Sequence, residues 1–242
     1  MIAAPSITFS GAAEFSGAPL FDDITLEITG GECTCLLGPS GVGKTTVLRI
    51  IAGLDSAVNF HGTINTSDDQ PLQNRTAYMA QSDLLFPWLS LLDNVCIGAT
   101  LRGDTIDKPR ALKMISRVGL AGHEGKKPSQ LSGGQRQRGA LARTLMEDRP
   151  VILLDEPFSA LDAKTRADMQ ELAAELLVDR TVLLVTHDPA EAARLSHNAV
   201  VMQAHGLQHI PMPATPPVRA IDDPKTLATQ GAMLKILRED VA

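Results

Sequence analysis

The segment GPSGVGKT, residues 38–45, constrains this chain more than any other. A glycine-rich loop ending in Lys-Thr holds phosphate only when an apolar strand leads in and a helix leads out. Both are present. Cys33 to Leu37 is an apolar run of strand length, and Lys44 to Ala52 has helical spacing closed by Gly53. Gly38, Gly41 and Gly43, with Pro39, Ser40 and Val42 between them, let the backbone curl into a nest of N–H groups where a Cβ would obstruct the turn. Lys44 is spaced to reach the β- and γ-phosphates and the Thr45 hydroxyl to ligate Mg²⁺. Thr46 completes the first turn of a helix whose positive end faces the anion. A nucleoside triphosphate and Mg²⁺ are the expected ligands.

A chain of 242 residues holds one sizeable α/β core with room for an inserted lobe. Hydrophobic residues make up 44% and charged residues 21%, which excludes a disordered chain. Aromatics are only 3%, so the core must be aliphatic. A net charge of −6 and a pI near 5.5 argue against a dedicated nucleic-acid surface. No run approaches the roughly 18 apolar residues needed to span a bilayer. Met1 to Gly11 lacks a basic segment followed by an apolar one, so no secretory signal is expected. The three cysteines give no disulfide framework; Cys33 and Cys35 share a strand face and read as packing, as does Cys96, which follows Asn94 and Val95 in a helical pattern.

Short apolar runs alternate with helical patterns, which predicts a mainly parallel sheet covered by helices. Ile7 to Phe9, Leu26 to Ile28, Gly62 to Asn65 and Arg75 to Ala80 read as further strands. The expected fold is thus α/β: a phosphate-loop core, an N-terminal antiparallel β subdomain and an inserted helical subdomain at about 82–147. The β/α alternation resumes at Val151 to Asp155, a helix over about Ala163 to Leu177, Thr181 to Val185, and a helix from about Pro189. The catalytic domain is expected over 1–210. Residues 211–242 then form a Pro-rich segment, IPMPATPP from Ile210 to Pro217, and a short amphipathic helix over Lys225 to Arg238.

Two further segments carry chemistry. Val151 to Glu156 reads VILLDE, a buried strand ending in two carboxylates. Asp155 sits where a second Mg²⁺ contact is needed, and Glu156, one residue beyond the strand, is placed to act as a general base. Leu131 to Gln135 reads LSGGQ, in which Ser132, Gly133 and Gly134 open a helix suited to anions.

A phosphate loop, LSGGQ and LLDE in that order resemble the ATP-binding cassette family, over about Ser6 to Met202. The resemblance implies two subunits packed head to tail as a homodimer. Ser132, Gly133 and Gly134 of one would then cover the γ-phosphate held by the other, with Gln135 supporting the loop. It also implies that Gln81 links Mg²⁺ and the attacking water to the helical lobe, that His187 contacts the γ-phosphate, and that Ser159 to Asp162 (SALD) joins the two sites. By spacing alone a Gln or His after a strand is ordinarily solvated or a helix cap. His61, His123, His197, His205 and His209 lack such a context and read as surface or structural. The family stacks an aromatic residue on adenine ahead of the phosphate loop. Phe15, in what reads as a polar loop, is the candidate, whereas Phe9 and Phe21 read as core.

The resemblance further implies a peripheral subunit on the cytoplasmic face of the inner membrane. Its expected partners are integral permease subunits and, indirectly, an extracytoplasmic substrate-binding protein, with no nucleic acid. The run Leu84, Leu85, Phe86, Pro87, Trp88, Leu89 falls where the family receives a cytoplasmic helix of the membrane subunit, although core packing explains Trp88 equally well. That run and the Pro-rich tail with Arg219 look similar to importers for nitrate, sulfonate, taurine and hydroxymethylpyrimidine. The extra β-domain of many sugar importers is not expected after this tail. A cassette acting on DNA or ribosomes would bring coiled coils, zinc clusters or a second cassette. A non-hydrolytic module would be expected to lose Glu156, His187 or LSGGQ.

Overall fold

The computed structural model describes residues 4–54, 57–203 and 206–239, so His205 lies outside the described residues. The elements in chain order are β1 (Ile7–Phe15), β2 (Ala18–Ile28), β3 (Cys33–Leu37), α1 (Lys44–Ile51), β4 (Val58–Thr66) and β5 (Thr76–Met79). There follow α2 (Leu91–Val95), α3 (Ile97–Arg102), α4 (Lys108–Arg117), a single 3₁₀ turn at Pro128–Gln130, and α5 (Gly133–Met146). The chain continues through β6 (Val151–Asp155), α6 (Ala163–Leu176), β7 (Thr181–Val185), α7 (Pro189–Leu195), β8 (Asn198–Gln203), β9 (Gly206–Ile210) and α8 (Pro224–Glu239). These elements form two compact units. One comprises residues 1–76, 149–155 and 177–242, the other 77–148 and 156–176.

The first unit holds the expected α/β core. Strands β6, β7, β3 and β8 run parallel in the order β6-β7-β3-β8, with β9 antiparallel at the end. Every residue of β6 and β7 is buried, which is why both read as unbroken apolar runs rather than alternating ones. Helix α1 packs on both. A separate antiparallel sheet in the order β2-β1-β4 forms the N-terminal β subdomain. On β1 buried and half-exposed residues alternate, the signature of a strand covered on one face. Phe9 and Phe21 are buried as expected, and the Phe9 ring stacks on Phe60 at 4.9 Å.

Three features depart from the sequence reading. Strand β1 runs on to Phe15, because Gly11, Ala12 and Ala13 pair with Gly62, His61 and Phe60 of β4, in that order, and continue the ladder. Phe15 therefore ends a strand and does not lie in a loop. Strands β8 and β9 were not anticipated; β8 gains its place by parallel pairing with the distant β3. Cys96 is the junction between α2 and α3, not a residue within one helix.

Beyond β9 the chain returns to α7. Arg219 is 4% exposed, and its guanidinium donates to the carbonyls of Ala193 and Ser196 at 2.8 Å each, of Thr215 at 2.7 Å and of Pro213 at 3.1 Å. The Arg194 Nε donates back to the Arg219 carbonyl at 3.2 Å. Helix α8 packs on α7 and β8, with Met233 fully buried, Thr226 buried and Leu227 and Leu234 exposed. The C-terminal carbonyls of α7 lack intrahelical partners. Arg219 supplies partners, and so fastens the Pro-rich segment to the core.

The second unit is helical. Helix α5 packs against α2 and α4, and Gly139 allows the close approach, since a Cβ there would lie 2.8 Å from Leu91 Cδ1. Asn94, fully buried on α2, shapes the preceding turn. Its Oδ1 accepts from Phe86 N at 2.7 Å, and its Nδ2 donates to the carbonyls of Phe86, Leu89 and Ser90. The turn leaves Trp88 66% exposed, its ring 5.3 Å from that of Phe86. Core packing therefore does not explain Trp88. No helix among the described residues is long and apolar enough to cross a membrane.

Candidate functional site

In the first unit the phosphate loop connects β3 to α1, with Ser40 and Gly41 exposed at its tip. Gly38 and Gly43 have positive φ, 154° and 109°, and each stands where no side chain fits. A Cβ on Gly38 would come within 2.4 Å of the Met202 carbonyl, and one on Gly43 within 2.8 Å of Phe21. Strand β8, through Met202, is thus the floor that makes the first glycine obligatory. Helix α1 carries no side-chain cap at Gly43, so its first-turn N–H groups point into the loop.

Lys44 is 7% exposed and its ammonium donates to the carbonyls of Gly38 and Pro39 at 2.8 and 2.7 Å. These bonds curl the loop around its own lysine. Thr45 Oγ1 donates to Asp155 Oδ1 at 3.1 Å, and Asp155 is buried at the end of β6. The geometry brings together Gly38, Lys44, Thr45 and Asp155 as the sequence predicts. A hydroxyl and a carboxylate beside a glycine cradle are hard oxygen donors, the set that suits Mg²⁺ bound to phosphates. Phe15 lies in the same unit and is 53% exposed, so a face of its ring is open to stack. His187 is exposed just beyond β7. Its neighbours fix the backbone there: Thr186 Oγ1 donates to the buried Glu191 at 2.7 Å, and Asp188 caps α7 through Ala190 N at 2.8 Å.

In the second unit Ser132 caps α5. Its Oγ accepts from Gln135 N at 3.2 Å and Gln135 Oε1 accepts from Ser132 N at 2.8 Å, a reciprocal capping box. Gln135 Nε2 also meets His123 Nε2 at 3.2 Å. Gln135 thus holds the start of α5, with Ser132 and Gly133 left exposed. Gln81 Nε2 donates to Glu156 Oε2 at 3.1 Å, so the two residues expected around the attacking water touch. Asp162 accepts from Thr165 N at 3.0 Å as it opens α6, and that bond holds its carboxyl below the usual range.

Sequence reasoning missed the side chains that hold these segments. Arg136 Nε donates to Asp83 Oδ2 at 3.0 Å, Arg143 donates to the carbonyls of Leu84 and Asp83, and Gln137 is buried. Arg136 and Gln137 lie in the polar first turns of α5, and Arg143 farther along among buried apolar residues. Cys33 N donates to His197 Nδ1 at 3.0 Å, a structural role for that histidine.

The profile of the ABC transporter family matches residues 21–159, more than half of the chain. An uncharacterized ABC transporter ATP-binding protein of Haemophilus influenzae is 48% identical over 192 residues, covering 78% of each chain. An aliphatic sulfonates import ATP-binding protein of Rhodococcus jostii is 48% identical over 187 residues, 76% of this chain and 74% of that one. Among solved structures, the dimeric post-hydrolysis state of the ATP-binding cassette MJ0796 bound to ADP and Pi superposes with a TM-score of 0.75. It is 28% identical and covers 86% of this chain and 100% of that chain. With the glycine cradle, the Thr45–Asp155 pair and the capped LSGGQ helix in place, these likenesses have one reading: the chain belongs to the ABC transporter family and is its ATPase subunit.

Proposed function

We propose that this ATPase drives solute import, closing head to tail with a second copy of itself around two ATP. It would sit on the cytoplasmic face of the inner membrane against separate permease subunits, fed by an extracytoplasmic binding protein. The observation that carries the hydrolytic reading is the 3.1 Å contact of Thr45 with Asp155 beside the Lys44 loop. Lys44 and the loop N–H groups hold the β- and γ-phosphates, and Phe15 stacks on adenine. Thr45 and Asp155 would hold a Mg²⁺, to which the family resemblance adds Gln81, and the ion would offset charge on the phosphates when bound. Ser132, Gly133 and Gly134 of the second copy cover the γ-phosphate and exclude water, and Asp162 and its loop join the two sites. His187 donates to the γ-phosphate oxygens. Glu156 orients a water for in-line attack and accepts its proton as the bond to ADP breaks.

The sulfonate importer among the relatives supports a small sulfonate-type solute such as taurine or an alkanesulfonate, within the wider group that includes nitrate and hydroxymethylpyrimidine. The exposed Trp88 beside Phe86 supports docking of a permease helix on that turn. The test is purification of the tagged chain in detergent from its own membranes. Integral membrane subunits are expected to accompany it; a DNA-repair or ribosomal complex in their place overturns the import reading. A deletion strain is expected to lose growth on taurine or short alkanesulfonates as the sole sulfur source. Unchanged growth removes that solute class.

A further inference from the structure

Glu156 has φ of +47°, a conformation that residues with a Cβ rarely adopt. Something must hold it there, and the hydrogen bonds say what. The Glu156 carbonyl accepts from Ser159 N at 3.3 Å, from Ser159 Oγ at 3.0 Å and from Gln137 Nε2 at 3.0 Å. The other end of the same amide, Gln137 Oε1, accepts from Ala160 N at 2.8 Å. Gln137 is 4% exposed on α5, so both ends of its amide are committed inside the unit. The backbone on either side of Ser159 is thus fastened to one side chain of the LSGGQ helix. Gly134, nearer the start of that helix, lies against the same segment, with a Cβ position 3.3 Å from the Ala160 carbonyl.

The carboxylate of Glu156 is held from the other direction. Gln81 donates to it at 3.1 Å, and the segment after Gln81 is itself tied to α5 by Arg136 and Arg143. Backbone and side chain of Glu156 are therefore both tied to the same helix, and Gln137 is the side chain that reaches the backbone from it. We infer that Gln137 is a positioning residue for hydrolysis, one that sets Glu156 and the SALD loop relative to the LSGGQ helix through the two ends of its amide. The inference rests on the reading of Glu156 as general base.

Displacement of a catalytic group by about 1 Å costs on the order of 100-fold in rate. Gln137→Leu keeps the volume and removes the hydrogen bonds to Glu156, Ser159 and Ala160. It is expected to lower kcat for ATP hydrolysis roughly 10- to 100-fold, with KM and ATP affinity within about twofold of the parent. ATP-bound dimer should accumulate, as is expected when the base is lost. In a Glu156→Gln background the same substitution should cause no further fall, because the two act on one step. If Gln137→Leu does not fold, Gln137→Glu is read by the same criteria. It keeps the acceptor for Ala160 N and loses the donor to Glu156.

Wild-type kcat in the folded variant overturns the inference. So does a loss of kcat accompanied by an equal loss of ATP affinity, which marks a merely structural role. If Glu156→Gln alone keeps the normal rate, the base assignment has failed and Gln137 falls with it. That outcome is visible before any Gln137 variant is made.

Discussion

Replacing Arg219 with alanine removes a guanidinium that satisfies four carbonyls at once. Two of them, on Ala193 and Ser196, belong to the buried end of α7 and have no helical partner to return to. Hydrogen bonds from a charged donor contribute about 1.5–3 kcal/mol each. Water entering the vacated volume re-satisfies the carbonyls of Pro213 and Thr215, which belong to the looser segment. Counting the α7 pair alone gives a loss of roughly 3–6 kcal/mol. For a chain of this size each kcal/mol moves Tm by about 2–4 °C, so the melting temperature should fall by about 10 °C. Differential scanning calorimetry measures it directly, with the exposed Arg238→Ala as a control expected to stay within about 0.5 kcal/mol. Arg219→Lys, which keeps the charge but not the fork, should fall between the two. A Tm within about 2 °C of the parent for Arg219→Ala would show that the clamp is dispensable and refute the argument.

The remaining predictions concern the site and the thiols. Glu156→Gln should retain ATP yet turn over roughly 100- to 10,000-fold more slowly, accumulating as an ATP-bound dimer on gel filtration; a normal rate removes Glu156 as the base. Lys44→Ala should weaken ATP binding in calorimetric titration, and unchanged affinity removes Lys44 from its role. Burial pushes the Cys33 thiol up to about 12 and raises the buried Cys35 well above its ordinary value. At pH 8 the thiolate fraction of Cys33 is then about a thousandfold lower than in the unfolded chain, and iodoacetamide should label it only after denaturation. The sign for stability follows. The folded chain keeps the Cys33 proton where the unfolded chain has lost it, so this contribution declines as pH rises from about 9 to about 12. A Cys33→Ala variant should flatten that part of the pH–stability curve, and an unchanged slope refutes the assignment.

What could be read from the chain was what a single segment dictates. The phosphate loop announces itself because backbone N–H groups can converge only where Cβ atoms are absent, and Gly38 and Gly43 obey that locally. Strands β6 and β7 were legible because burial on both faces demands an unbroken apolar run. The far half of β1 was not, since Gly11 to Ala13 have little strand preference and become a strand only against β4. Gln137 and Arg219 were beyond local reading for the opposite reason. Their partners are carbonyls, which every residue carries, so nothing in composition marks where a buried polar side chain will find them. Lys44, Glu156 and LSGGQ were legible as types, whereas the hydrogen bonds that hold Gln81 on Glu156 and cap Ser132 needed coordinates.

The turn shaped by Asn94 has an optical consequence. Trp88 is the only tryptophan of the chain, and Asn94 holds its indole out in water on the helical unit. Nearly all fluorescence excited at the red edge of the absorption band therefore comes from one ring on one surface. The protein carries its own polarity gauge at the place proposed for permease docking. Emission should shift to the blue when an apolar helix covers that turn and return when the helix leaves, so engagement can be followed through an ATPase cycle without any label.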